Sequence, residues 1–117
     1  MTQSTIKVSA DLSDELLTEI CASASVFTCA CPAYLTRLLR QVRTFRFYTT
    51  NCIERFPEAA ETHHWLDQQG DQIEQLLFQT LLELLQKEQL LDATNQVSFS
   101  EIAERSRAKA LQQINPL

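Results

Sequence analysis

The stretch TIKVSADLSDEL, Thr5 to Leu16, decides how the chain begins to fold. Ile6, Val8, Ala10 and Leu12 alternate with polar Thr5, Lys7, Ser9 and Asp11, the two-residue period of a strand with one buried face. At Ser13 the period changes to that of a helix, with Leu16, Leu17, Ile20 and Ala24 as its apolar positions. Ser13 is placed to cap that helix, and Asp14 and Glu15 sit at its positive end. A short strand leading into a helix is the expected opening unit.

Working outward, the first helix should fade within SASVFTCAC, residues 23–31, where β-branched and hydroxyl side chains collect. Pro32 then restarts the chain at a first helical position. The second helix places Leu35, Leu38, Leu39, Val42 and Phe45 on one face and Arg37, Arg40 and Arg43 on the opposite one, with Arg46 at the boundary. It ends somewhere between Thr49 and Phe56. Pro57 begins a third helix that Gly70 is placed to close. Asp71 begins a fourth, whose Ile73, Leu76, Leu77, Leu81 and Leu84 form one stripe and Phe78, Leu82 and Leu85 a second. A helix apolar on two sides needs two neighbours. The segment DATNQV reads as a loop, and Ser98 to Ser100 caps a last helix carrying Ile102, Ala103, Ala110, Leu111 and Ile114. The expected fold is mainly α, a short N-terminal strand followed by about five helices in a compact bundle.

Composition narrows the function. One glycine in 117 residues leaves no phosphate-cradling loop, since GxxxxGK[ST] and GxGxxG both need several. There is no GxSxG elbow and no HExxH helix; we expect no enzymatic activity and no cofactor. The absence of an export signal or a long apolar run points to a soluble cytoplasmic protein outside the membrane. The net charge of −5 is uneven: residues 1–55 carry six bases and five acids, and residues 56–117 four bases and ten acids. The two halves therefore face different partners, or each other.

The strand, the LSDEL helix start, the corner and the arginine-lined second helix together resemble the ribbon-helix-helix DNA-binding family over residues 4–48. The resemblance implies a homodimer in which two chains pair their strands into a ribbon for the DNA major groove. Thr5, Lys7 and Ser9 would then face bases, and the amides at Pro32 and Ala33 would clamp a phosphate. Residues 1–55 form the ribbon-helix-helix-like or helical-hairpin part on this view, and residues 56–117 an acidic helical part sharing its core. The competing expectation is a helical adaptor that docks another protein through Arg37, Arg40, Arg43 and Arg46.

Cys21, Cys29, Cys31 and Cys52 all lie in the first half. They are candidates for a redox device or a metal or cluster site, with small apolar packing as the alternative. His63, His64 and Trp65 are adjacent rather than three or four apart, so packing is expected of them.

Overall fold

The structure, a computed structural model, describes residues 5–114. The outer ends of the two expected parts, residues 1–4 and 115–117, lie outside the described residues. The elements run β1 (Thr5–Lys7), α1 (Asp14–Ala24), α2 (Cys31–Arg55), a 3₁₀ turn (Pro57–Ala59), α3 (Ala60–Lys87), β2 (Gln96–Ser98) and α4 (Phe99–Ile114). Among the described residues there are four α-helices rather than about five. The expected third and fourth helices are one.

β1 pairs antiparallel with β2, placing Thr5 opposite Ser98, Ile6 opposite Val97 and Lys7 opposite Gln96. The ladder continues through the Val8 N–H, which donates to the Asn95 carbonyl at 2.8 Å. The ribbon is thus closed within one chain, by a segment that reads as a loop, whereas the family resemblance implied a strand from a second copy. Burial explains the pairing: Val97 and Val8 both sit in the core. Alternation holds through Ile6 and Val8 and stops at Ala10, which is exposed, because the chain turns there and the Leu12 N–H donates to the Ser9 carbonyl. Ser13 caps α1 as expected, its hydroxyl accepting from the Leu16 N–H at 3.2 Å.

Asp92 shapes the turn into β2. Its Oδ1 accepts from the Gln96 N–H at 3.0 Å, the Thr94 N–H at 2.8 Å and the Thr94 hydroxyl at 2.7 Å. These bonds, the one from Gln96 foremost, hold its carboxyl below the ordinary value of 3.8. A depressed folded-state pKa means that the turn adds stability above the ordinary value and loses it as the pH falls through the depressed one. We expect an NMR titration of Asp92 to give a midpoint below its ordinary value of 3.8; a midpoint at or above that value would show that the turn does not hold. In Asp92→Asn this component of acid sensitivity should vanish.

The α2–α3 hairpin is the longest feature. Gly70 is buried in the middle of α3, with no positive φ, and so is not a helix end. It lies where Arg46 of α2 crosses: a Cβ there would meet Arg46 Cγ at 2.8 Å, well inside carbon–carbon contact. The glycine serves close approach of two helices rather than a cap. The real end of α3 is a left-handed Gln89 (φ 59°) with the Leu90 N–H donating to the Leu85 carbonyl, a Schellman closure made without glycine.

The core gathers Leu17, Ile20 and Cys21 from α1, Leu39 from α2, Leu81 and Leu85 from α3, with Val97 and Ile102 behind them. α1 runs antiparallel to α2, since Asp14 pairs with Arg43, Thr18 with Arg40 and Cys21 with Thr36. It therefore reaches no further along the hairpin than Arg43, and beyond that level no third helix among the described residues joins α2 and α3. The extents are 66 × 31 × 20 Å and the radius of gyration is 18.1 Å, against about 13 Å for a compact domain of this length. The expected compact bundle is instead a packed head with a two-helix arm. The sheet, α1 and the base of the hairpin make the head.

Candidate functional site

The arginine ladder is divided by the tertiary structure. Arg43 bridges Asp14 of α1 and Glu74 of α3; Arg46 reaches Asp67, Asp71 and Glu74 at 2.9–3.2 Å. Both are partly buried between elements. Desolvation pulls the Arg43 pKa down, but its bonds to Glu74 and Asp14 outweigh this and the net direction is up. For Arg46 the bond to Glu74 leads, again upward. The basic helix of the first half and the acidic helix of the second thus face each other inside one chain. Arg43 and Arg46 hold the hairpin and are not free for a partner. Arg37 and Arg40 are exposed. Arg37 stacks over the Tyr34 ring at 5.0 Å, and Arg40 donates to the Thr18 hydroxyl at 3.3 Å.

Beside Arg37 lies an open apolar surface that includes Leu38 and Phe45 of the expected α2 face. Tyr34 is 60% exposed, Leu38 48%, Phe45 42% and Tyr48 62%, all on α2, and Ile73 of α3 is 49% exposed. At about 100° per residue, Leu38 and Phe45 point some 140–160° away from Arg40 and Arg43, which mark the α1 side. Ile73 is likewise turned about 130° from Leu85 and Phe78, which pack into the head. Both stripes therefore lie on the side of the hairpin that α1 leaves uncovered. The periodicity identified the leucine face of α2 correctly. It could not reveal that only Leu39 of that stripe is fully enclosed.

At the ribbon, Thr5 and Lys7 present exposed side chains while Ser9 is half-buried. Pro32 is buried and Ala33 half-buried at the start of α2, whose N-cap Ala30 has no side-chain bond. No hydrogen bond among the described residues joins the ribbon to that helix start.

The cysteines are not gathered. Cys21 is in the core, where burial raises its thiol pKa and the Thr36 hydroxyl, donating to its sulfur at 3.2 Å, opposes the rise. Cys29 and Cys31 are exposed at the corner, and Cys52 is buried, about 30 Å along α2 from Cys31 at the helical rise. Among the described residues no group of three or more His, Cys, Asp or Glu could hold a metal ion. The hydrogen bond with Cys29 raises the Cys31 thiol, against the activation expected at a helix start. Native protein should take up two alkyl groups from iodoacetamide and four in urea, read by intact mass. Four in the native state would place Cys21 and Cys52 outside the core.

His63 is half-buried, its Nδ1 2.8 Å from the Ala59 carbonyl, while His64 and Trp65 are exposed. The packing role expected of all three holds only for His63. A groove of about 740 Å³ runs beside β2 and α4, lined by Asp92, Gln96, Ser98, Glu101 and Glu104 among others. It has no histidine or cysteine in its lining, and its Ser98 and Ser100 hydroxyls bond each other. No helix among the described residues is long and apolar enough to cross a membrane. Comparison of the chain with protein-family models, curated proteins and solved structures returns no match.

Proposed function

We propose that this protein is a non-enzymatic helical docking module, a regulator or adaptor whose working surface is the uncovered side of the α2–α3 hairpin. The observation that carries the reading is the set of half- to mostly-exposed apolar side chains there, Leu38, Phe45, Tyr48 and Ile73. Apolar patches of this kind on a soluble chain mark interaction sites, and aromatic side chains with an adjacent arginine are the groups that dominate binding energy. Arg37 supplies a basic margin; Arg43 and Arg46 supply rigidity through their ion pairs.

The test is a photo-reactive phenylalanine analogue placed at Phe45 or Tyr48 and, as control, at Gln79 on another side of α3, followed by irradiation in cells. Protein adducts at the first two positions and none at the third are expected. No adduct at either face position would remove the docking reading.

A DNA-binding regulator is the second reading, favoured by the exposed side chains of Thr5 and Lys7 on a two-stranded ribbon. It requires duplex binding that weakens steeply with salt and that Lys7→Ala diminishes; unchanged affinity in that variant would exclude the ribbon.

A further inference from the structure

We infer that the uncovered side of the hairpin is occupied by a second copy of this chain, the two hairpins forming a four-helix bundle in which α2 of each lies along α3 of the other. The inference rests on the docking reading and names its partner.

Area is the first argument. The chain exposes 8097 Å², whereas a compact monomer of 13.4 kDa should expose about 6,500 Å². The excess is about twice the roughly 800 Å² that each partner contributes to a standard interface. The elongated arm accounts for such an excess, and pairing two arms would cover apolar surface on both.

The second argument is charge. Arg37 lies nine residues before Arg46, and Glu83 lies nine residues after Glu74, the residue that Arg46 binds at 2.9 Å. In an antiparallel hairpin these two are at one level, at the base of the hairpin beside the head. Arg37 is on the outer edge of the α2 stripe and Glu83 on the outer edge of the α3 stripe, both exposed and neither in an ion pair among the described residues. They are too far round the hairpin to meet each other within one chain. A twofold axis running along the arm brings α2 over the partner's α3, antiparallel, and sets each Arg37 against the other copy's Glu83. Such an isologous contact closes on itself, with helices of opposite direction packed as in a four-helix bundle. The centre between Phe45 and Ile73 carries no charge, and the ion pairs fall at its rim, the arrangement of stable interfaces.

The experiment is sedimentation equilibrium of the full chain across the micromolar range. The wild type should sediment at twice 13.4 kDa. Ile73→Glu and Phe45→Glu should each weaken association by at least about 100-fold, because an unpaired charge is then buried at the interface centre, with helical circular dichroism unchanged. Arg37→Glu should weaken it about tenfold and Arg37→Glu/Glu83→Arg should recover most of that loss. Both positions are exposed, so the reversal does not depend on a core change. A wild type that stays monomeric, or a dimer indifferent to both centre substitutions, overturns the inference; a dimer without the charge rescue overturns the α2-on-α3 arrangement. A monomer that still gives heterologous adducts at Phe45 would leave the docking reading standing alone, and no adduct of any kind would remove both.

Discussion

Leu81→Ala is expected to cost about 2–5 kcal/mol, the range for truncating a fully enclosed leucine. Leu81 has no exposed surface and belongs to the cluster that joins α3 to α1, α2 and β2. Its removal leaves a cavity where the head and the base of the hairpin meet, so both lose packing at once. The measurement is urea denaturation at fixed chain concentration, because self-association would add to apparent stability. The midpoint should fall with the slope unchanged. A loss below about 1 kcal/mol would mean that the hairpin and the head are not held by this cluster.

Gly70→Leu should be comparably damaging for a different reason. The first added carbon already lies 2.8 Å from Arg46 Cγ, and overpacking of this kind typically costs about 1–3 kcal/mol. The displaced guanidinium also gives up Asp67, Asp71 and Glu74, leaving Asp67 and Asp71 without their cation and Glu74 with Arg43 alone. The smaller Gly70→Ala separates sterics from helix propensity. In the wild type the clash should outweigh the gain. Once Arg46→Ala has cleared the crossing, Gly70→Ala should become stabilising by about 0.5–1 kcal/mol. A gain of equal size in both backgrounds would show that the glycine is not there for Arg46.

The same crossing shows why one sequence signal was misread. Glycine followed by an acid resembles a helix end and a new start, and Gly70–Asp71 fits that pattern locally. What keeps α3 continuous is not local: the helix gains the Arg46 ion pairs and packing along the whole of α2. β2 escaped notice because three residues with a single buried valine carry no measurable period. The arginine ladder was visible as a stripe, but its division into Arg43 and Arg46, which clamp, and Arg37 and Arg40, which remain open, depends on where Asp14 and Glu74 arrive from 29 and 31 residues away.

The amino-acid sequence alone determined a mainly helical chain, the strand at Thr5, the cap at Ser13, the restart near Pro32 and the apolar faces of α2 and α3. These follow from side-chain periodicity and from backbone chemistry within a few residues. Tertiary structure decided that β1 finds its partner in β2, that the third and fourth helices fuse, that the four cysteines are not gathered at one place, and that half of an apolar face lies open. Each depends on contacts between segments far apart in the chain, where the geometry of approach, rather than any local pattern, sets what is buried.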